Sequence, residues 1–439
     1  MAGEGHRNTL GDYFTLQRGT TYKSRLLGQP GPVLLGLATI QRNGGFRTDS
    51  LQTYGGDSPA KLLVQPGDLY LSLKDVTQSA DLLGAVARLP IDHPPGRLTQ
   101  DTVKLEPKRA DVPLEYLYWL LRTPQYRSYC RAHATGTTNL GLAREDFLAF
   151  PAPEPTALQR KIVESLGTLD DKIEMNRRMN GTLEATARAL FKSWFVDFDP
   201  VRAKAEGRDP GLPQPLVDLF PDSFEDSELG AIPKGWCTSS VYDLATYING
   251  AAYRAFEPNE ERRGLPIIKI AELKAGVTAQ TRFSAVDMPN KYRIDTGDIL
   301  FSWSGNPDTS IDTFVWTHGP AWLNQHIFRI VPTSVHERAF VLMTLRNLRP
   351  VFAEVARNKQ TTGLGHVTVG DLKRLFTARP PKTILLDWNR LVEPMLDRSF
   401  GLGEESNTLV AVRDTLLPKL ISGELRVKDA DRLLEETME

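Results

Sequence analysis

Two long segments carry apolar residues at alternating spacings of four and three, which is the heptad spacing of a coiled-coil helix. The first segment begins after Thr156, a favourable N-cap residue, and continues without proline to Phe195. Two asparagines at its centre predict polar contacts that fix the register of a partner helix. The seam consists of Ile162, Leu166, Leu169, Ile173, Asn176, Asn180, Leu183, Ala187, Leu190 and Trp194.

A second, less regular seam lies towards the C-terminus and predicts the partner helix. It consists of Trp388, Val392, Met395, Ser399, Leu402, Ser406, Leu409, Arg413, Leu416 and Leu420. Pro394, Gly401 and Gly403 predict a kink or a late start of this helix. We expect the two helices to pair antiparallel, with Ser399 and Ser406 near the two asparagines. The alternative is that each helix packs only on its own domain.

The rest of the chain alternates short apolar runs with helical patches. Runs such as VLLGLATI, DLYLSL and DTVKLEP, and later PIIKIAEL, DILFSW and HIFRIVP, predict strands. Apolar spacings of three and four predict helices near 112–132 and 336–357. The segment 199–235 contains six prolines and predicts an extended connector.

The two strand-containing regions repeat each other in order. LQRGTTYK, VQPGDLYLSLK, TQDTVKLEP and TGTTNLG return about 225 residues later as YINGAAYR, IDTGDILFSWS, NQHIFRIVP and QTTGLG. We therefore predict an α+β fold with two similar mixed α/β domains, separated by two long helices that pair as an antiparallel coiled coil, with internal pseudo-two-fold symmetry. The predicted parts are a first domain, a helix, a connector, a second domain, a helix and an acidic tail, at 1–153, 154–198, 199–235, 236–383, 384–425 and 426–439.

Charge is distributed unevenly although the whole chain carries a net charge of only −1. Residues 1–150 hold 17 Lys and Arg against 14 Asp and Glu, a net +3, and residues 236–383 hold 18 against 13, a net +5. The segments 151–235 and 384–439 are net acidic, at −4 and −5. Basic repeated domains favour a polyanion as ligand. Double-stranded DNA suits a chain with two similar domains, because it is a long polyanion whose equivalent groove faces recur every ~34–36 Å.

The repeated loops supply the candidate DNA contacts, because they carry cations, hydroxyls and amides. We assign them mainly to phosphates: Arg18, Thr20, Thr21, Tyr22 and Lys23 with the matching Asn249, Tyr253 and Arg254; Lys74 with Trp303 and Ser304; and Thr137, Thr138 and Asn139 with Gln360, Thr361 and Thr362. Two domains that read different sequences need unmatched residues for base contacts. We expect these from Gln41, Arg42, Asn43 and Arg47.

Motifs for catalysis are missing from the sequence. It contains neither G-x-x-x-x-G-K-[ST] nor H-E-x-x-H. Asn306-Pro307-Asp308-Thr309 lacks the second proline and the aromatic residue of a methyltransferase motif, and Asp68 with Lys74 fits a Gly-Asp turn better than a nuclease motif. Cys130 and Cys237 have no spacing typical of a metal site. Without a signal or an apolar run long enough for a bilayer, we expect a cytoplasmic protein with no membrane contact.

The segment PAPEPTALQRKIVESLGTLDDKIEMNRRMNGTLEATARALFKSWFVDFDPVRAKAEG, continuing to LFPDSFEDSELGAIPKGW, resembles the central conserved region of specificity subunits of type I restriction-modification systems. DTLLPKLISGELRV resembles their distal conserved region. The resemblance implies two target recognition domains. Each reads one half of a split, asymmetric DNA site, and the paired helices set the spacer.

The resemblance also implies a non-catalytic chain within a larger complex. Two methyltransferase (modification) subunits are expected to dock on the conserved helices, and restriction/translocase subunits to join them. S-adenosylmethionine, ATP and magnesium are expected on those partners, with no cofactor on this chain. A duplicated protein-binding scaffold without DNA specificity remains the alternative. A self-contained modification enzyme is disfavoured because no cofactor motif is present.

Overall fold

The computed structural model of the protein describes four stretches of the chain, 8–48, 51–137, 139–360 and 364–421. Side chains are described as far as residue 418. The described chain divides into two compact units. Unit 1 contains the described residues up to 171 together with those from 409 onwards, and unit 2 contains those of 172–408. No helix in these stretches is long and apolar enough to cross a membrane.

Unit 1 contains a four-stranded antiparallel sheet. In spatial order its strands are Phe14–Arg18, Thr102–Pro107, Leu69–Ser72 and Val86–Arg88. A three-stranded sheet with one parallel pair consists of Val33–Leu35, Gly96–Leu98 and Leu63–Val64. A smaller sheet consists of Lys74–Asp75, Leu140–Leu142 and Ala134–Thr135. Buried Leu35, Val64 and Tyr70 belong to one apolar cluster that joins the first two sheets.

The helices of unit 1 are short because turn and proline signals interrupt the helical patches. The α-helices are Leu10–Tyr13, Leu114–Leu120, Pro124–Ala132 and Arg144–Ala149, and the 3-10 turns are Ser24–Leu26, Leu37–Thr39 and Ala60–Leu62. The predicted patch at 112–132 is divided at Thr123, whose hydroxyl accepts a hydrogen bond from the Tyr126 backbone N–H. Proline at the first position of the next helix suits a helix start.

Unit 2 repeats this arrangement. Its four-stranded antiparallel sheet has the order Ala245–Asn249, Ile327–Pro332, Ile299–Ser302 and Asp312–Val315. A second sheet consists of Phe283–Ser284, Leu265–Ile268, Ala321–Leu323 and Arg293–Ile294. Two-stranded pairs are Ser304–Gly305 with Gly365–His366, and Cys237–Ser240 with Phe376–Arg379. The strands LQRGTTYK, GDLYLS and DTVKLEP occupy the same places as their repeats, so the predicted similarity of the two domains is confirmed.

The helices of unit 2 also follow the repeat. Apart from the two long helices and the helices within 199–235, its α-helices are Ile270–Ala275, Arg338–Asn347, Arg349–Asn358 and Val369–Arg374. Its 3-10 turns are Val241–Leu244, Tyr253–Phe256, Asn290–Tyr292 and Val335–Glu337. The run PIIKIAEL is only partly a strand. It changes to helix after Ile268 because the Glu272 carboxylate accepts the Lys269 backbone N–H and caps the first turn.

The segment 199–235 is not the extended connector that its prolines predict. Val201, Phe220 and Ile232 are buried in the core of unit 2. Pro200 stands in the first turn of a helix, where its fixed φ is favourable and its missing N–H has no cost. The segment folds into two helices and a hairpin: Asp199–Ala205, Gln214–Val217, and Phe224–Ser227 with Gly230–Pro233.

Two long helices, Ala157–Phe195 and Lys382–Ile421, contribute residues to both units. Thr156 caps the first one, because its hydroxyl accepts the Gln159 backbone N–H at 3.2 Å while the Gln159 side chain accepts that of Thr156. The predicted late start of the second helix is wrong, since the helix is unbroken from Lys382 through Pro394. A long apolar face in contact with the other helix offsets the local cost of that proline.

Candidate nucleic-acid interface

Charged residues lie close together at one end of the strands in the four-stranded sheet of unit 1. The outer strand ends at Arg18, opposite Val103, and Lys74 and Asp101 lie just beyond the paired ends of the two neighbouring strands. Lys74 Nζ lies 3.0 Å from a carboxylate oxygen of Asp101. We call this end of the sheet the strand edge. It carries a cation, an ion pair and the accessible polar groups that a DNA contact needs.

A cavity of about 370 Å³ opens at this strand edge. Lys74 and Asp101 line it together with Asn139, Thr135 and Leu37. The structure therefore brings two of the predicted DNA contacts, Lys74 and Asn139, to one site. Asp101 was missing from the predicted set.

The repeated TTxLG phrase contributes to the strand edge in both units. Strand Leu140–Leu142 pairs with Lys74–Asp75, and Gly365–His366 pairs with Ser304–Gly305. Each phrase thus forms a short ladder with the residues that follow the Gly-Asp strand. This pairing explains why the two phrases recur together, and each is followed along the chain by a short helix and then a long one.

The strand edge of unit 2 is aromatic where that of unit 1 is charged. The indole N–H of Trp303 donates to the Asn249 side-chain oxygen at 3.1 Å. The rings of Trp303 and His326 lie 5.5 Å apart, and His326 is exposed. Ser304 is half-buried beside them in the chain. The predicted contacts Asn249, Trp303 and Ser304 therefore belong to one edge.

The G-x-x-Y loops lie next to these edges and depend on glycine. A Cβ on Gly19 would lie 2.0 Å from the Thr99 carbonyl oxygen, and one on Gly250 would lie 2.2 Å from that of Asn324. No side chain fits such a close backbone approach. The repeated glycine is therefore structural in both units.

Arg97 stabilises the G-x-x-Y loop of unit 1 by hydrogen bonds. Its guanidinium donates to the Thr20 hydroxyl at 3.0 Å and to the Thr21 carbonyl at 3.2 Å. Tyr22 and Lys23 are exposed beyond them. In unit 2 the ammonium group of Lys269 lies 5.1 Å from the centre of the Tyr253 ring, and Arg254 is exposed.

The predicted base readers at 41–47 form a separate loop. The Gln41 side-chain amide donates to the Phe46 carbonyl at 2.7 Å, so part of its hydrogen-bonding capacity closes the loop itself. Asn43 has a φ of 63°, and Arg42 lies 3.9 Å from Asp81. Arg47 is exposed. These residues stay predicted contacts, and Arg42 and Asn43 lie near Asp81 rather than at the ion pair of the strand edge.

The remaining predicted contacts are in the TT motifs. Thr137, Asn139 and Gln360 are exposed. Thr138, Thr361 and Thr362 lie outside the described residues.

The two sequence segments that partly resemble nuclease and methyltransferase motifs, around Asp68 and Asn306, fold as turns. The Asp68 carboxylate accepts the Gln65 backbone N–H and pairs with Lys104 at 2.6 Å, and the repeat has the same pair between Asp298 and Arg329 at 3.0 Å. The side chain of Asn306 accepts two backbone N–H groups of its own turn. In the stretches that the structure describes, no group of three or more His, Cys, Asp and Glu side chains is placed to hold a metal ion.

The predicted helix seams lie on the inner faces of the long helices. Most of the predicted seam positions are buried, among them Ile162, Leu166, Leu169, Ile173, Asn176, Trp194, Val392, Leu402, Leu409 and Leu416. Asn180, Leu183 and Leu190 are half-buried. The side chain of Leu420 lies outside the described residues.

Polar contacts in the seam set the direction of pairing. In unit 2 the Ser399 hydroxyl donates to the Asn180 side-chain oxygen at 2.5 Å, and Asn176 donates to Glu405 at 2.9 Å. Glu405, rather than the expected Ser406, is thus the partner of Asn176. Residue numbers rise along one helix as they fall along the other, which confirms the antiparallel pair.

In unit 1 an ion triad of Arg122, Asp170 and Arg413 lies beside the seam. The Asp170 carboxylate accepts from Arg122 at 2.7 Å and from Arg413 at 2.5 Å. Burial raises the pKa of Asp170, but the two guanidinium groups outweigh burial and hold that pKa below its usual value. One carboxylate therefore joins the turn after helix Leu114–Leu120, which carries Arg122, to both long helices.

Sequence reasoning missed Asp101, His326 and Asp170. Asp101 and His326 occupy the same place in the repeated strands TQDTVKLEP and NQHIFRIVP. A change from acid to imidazole inside a matched segment is the signal that finds them. Asp170 lies beside the apolar seam in sequence, and its pairing with Arg122 depends on tertiary contacts.

Comparison with known proteins agrees with this geometry. Residues 233–382 match the family model for the type I restriction modification DNA specificity domain. The type I restriction enzyme MjaIX specificity subunit of Methanocaldococcus jannaschii is 27% identical over 327 residues, covering 72% of this chain and 70% of that protein. The HindI specificity subunit of Haemophilus influenzae is 26% identical over 373 residues, covering 73% and 79%.

A solved structure shows the same fold. The crystal structure of the type I restriction-modification system S subunit from M. genitalium aligns with a TM-score of 0.57 at 14% identity, covering 96% of this chain and 97% of that one. The family model covers the second of the two repeated domains, and the solved structure aligns along almost the whole chain. The chain is thus similar to specificity subunits of type I restriction-modification systems over most of its length, and its residues 233–382 match their DNA specificity domain.

Proposed function

We propose that this chain is the non-catalytic DNA specificity subunit of a type I restriction-modification complex, and that each of its two repeated domains contacts one half of a bipartite, asymmetric DNA site. The observation that carries the proposal is the duplicated strand edge. The two edges share one backbone arrangement but carry different polar side chains: Lys74 and Asp101 in unit 1, Trp303 and His326 in unit 2. Identical scaffolds with different reading groups suit a site whose halves differ in sequence.

The loops around each edge supply the contacts that position the domain. Arg18 and Lys23 in unit 1 and Arg254 in unit 2 are exposed cations close in sequence to a strand end. Such groups bind phosphates without reading sequence. The net positive charge of both domain segments favours the same ligand.

The long helices are proposed to carry the partner subunits. Their inner faces are occupied by the seam, and the outer face of the first long helix exposes Met175 and Met179 among charged residues. Two modification subunits would dock there, and restriction subunits would join them. S-adenosylmethionine, ATP and magnesium would then act on those partners and not on this chain.

Salt-dependent DNA binding tests the proposal. The purified complex of this chain with its modification subunits is titrated with duplex DNA at rising salt, and the slope of log affinity against log salt counts the phosphates neutralised. We expect a steep negative slope, at about −0.9 per phosphate contact. A duplicated protein-binding scaffold without DNA specificity would instead leave the DNA affinity and salt slope of the modification subunits unchanged when this chain is added.

A further inference from the structure

The two units share one structural ion pair at their sheets but not a second one. Asp68 pairs with Lys104 in unit 1, and the repeat keeps this pair as Asp298 with Arg329. A pair that the fold needs is thus present in both copies. Lys74 and Asp101, by contrast, have Ser304 and His326 at the same places. The Lys74–Asp101 pair is specific to unit 1, although the backbone beneath it is common to both.

The Lys74–Asp101 pair is also accessible. The Lys74 side chain is 48% exposed and that of Asp101 is 26% exposed, and both line the cavity of about 370 Å³ at the strand edge. An exposed pair of this kind contributes only about 0–1 kcal/mol to stability. Stability therefore gives little reason for the pair.

A buried hydroxyl holds the backbone on both sides of the pair. Ser72 is fully buried, and its hydroxyl oxygen accepts a hydrogen bond from the Lys74 backbone N–H at 3.0 Å. As a donor, the same hydroxyl lies 2.5 Å from the Lys74 carbonyl oxygen and 3.4 Å from the Asp101 carbonyl oxygen. The matching Ser302 hydroxyl is buried, and no partner for it is found among the described residues. Ser72 is a positioning residue, because it fixes the strand ends that carry the two charged side chains.

We propose that Lys74 and Asp101 read one G·C base pair in the half-site of unit 1, an inference that rests on the proposed DNA-binding function. In the major groove, guanine presents the acceptors N7 and O6, and cytosine presents the N4 amino donor. O6 and N4 are partners in a Watson–Crick hydrogen bond, so they lie about 3 Å apart. The Lys74 ammonium group and the Asp101 carboxylate, 3.0 Å apart, present a donor and an acceptor in complementary order.

An A·T pair fits this arrangement less well. In adenine the N7 acceptor lies beside the amino group, and N7 repels a carboxylate that approaches this amino group. In thymine the only acceptor for a lysine is O4, which lies next to a methyl group. The ammonium group meets two acceptors on guanine. The order of charges therefore selects G·C, and unit 2, which has Ser304 and His326 instead, reads its half-site by other contacts.

The test maps the methylated DNA motif of the full complex with its modification subunits, for the native chain and for variants. Lys74→Met and Asp101→Asn are expected to lower discrimination at one G·C pair on the order of 10-fold to 100-fold, and to leave the other half-site unchanged. The double variant Lys74→Glu with Asp101→Lys keeps an ion pair but reverses donor and acceptor. It is expected to change the preference at that position from G·C to C·G.

Lys104→Met is the matched control, because it removes the structural pair of the same sheet. It is expected to lower the melting temperature and to keep the native motif. An unchanged motif in all Lys74 and Asp101 variants overturns the inference. So does an equal loss of affinity for every sequence with a shallower salt slope, which marks a phosphate contact. A native complex that methylates no defined motif overturns the proposed function itself.

Discussion

The matching arginines Arg122 and Arg346 lie at the C-terminal end of the same repeated helical segment yet meet different partners. Arg122 is 5% exposed and donates to Asp170 at 2.7 Å, within the ion triad of unit 1. Arg346 lies 3.7 Å from Glu184, a looser pair whose carboxylate is 38% exposed. Unit 2 instead gathers aromatic rings where its domain meets the long helices, and Phe195 lies 5.2 Å from Phe340 of the domain. Trp388 lies 4.8 Å from Phe195 and 5.6 Å from Trp194, measured between ring centroids.

This difference shows how the two copies have diverged. The backbone arrangement was kept, because the strands and the glycine approaches at Gly19 and Gly250 tolerate little change. The attachment of each domain to the helices was not kept. Unit 1 relies on a buried carboxylate between two guanidinium groups, and unit 2 on aromatic packing. The two units should therefore respond to different perturbations.

Loss of the aromatic packing is expected to have the largest effect. Trp388→Ala removes a fully buried ring from the core of unit 2 and should cost about 4 kcal/mol of its unfolding free energy. Hydrogen exchange read by mass spectrometry measures the two units separately. Trp388→Phe, which keeps an aromatic ring, should cost clearly less. An equal loss of protection in unit 1 and unit 2 would contradict separate attachment.

Loss of the ion triad is expected to come next. Asp170→Asn leaves the buried Arg122 guanidinium without its carboxylate and Arg413 paired only with Asp414, and it should cost about 3 kcal/mol in unit 1. Glu184→Gln is the matched control in unit 2, where the looser and more exposed pair should cost less than about 1 kcal/mol. Denaturant unfolding with unit-resolved hydrogen exchange gives both values. Similar losses from both variants would show that the two attachments do not differ in kind.

Acid should diminish the effect of the triad. The Asp170 pKa is lower in the folded protein than in the unfolded chain, so its contribution is present above the unfolded value of about 3.9 and is lost as pH falls through the folded value. The difference in unfolding free energy between the native chain and Asp170→Asn should be full above about pH 5 and should narrow below about pH 4. A difference independent of pH would mean that packing, not charge, makes Asp170 important.

Helix glycines should give the smallest effect, and of equal size in both units. Among the described residues, a Cβ on Gly167 or Gly181 would meet open space. Each glycine costs about 1 kcal/mol of helix propensity, so Gly167→Ala and Gly181→Ala should each stabilise the chain by about that amount. Thermal unfolding measures it. Destabilisation by either alanine in the isolated chain would contradict the helix packing described above.

The fold was largely predictable because both repeats and heptads are periodic signals. The seam residues followed from spacing, the antiparallel direction followed from the order of domains and helices along the chain, and the Ser399–Asn180 contact followed from both. The connector 199–235 was not predictable in the same way, because its prolines also suit the first turn of a helix. Its burial depends on the tertiary contacts of Phe220 and Ile232.

The strand edge was predictable only in part. Lys74 and Asn139 carry side chains that suit DNA and lie in repeated segments, so the sequence pointed to them. Asp101 is not predictable in this way, because an acid is not expected at a DNA surface unless its basic partner is known. That partner becomes visible only when two strands are paired.

The most direct test of the central claim is the methylated motif written by this chain together with its modification subunits. Sequencing of modified DNA from cells that express the complex reads that motif directly from the positions of the methylated bases. If each repeated domain reads one half of a split site, the motif will consist of two different short specified blocks separated by a fixed number of unspecified bases. A single contiguous motif, or methylation without any defined sequence, would contradict the account.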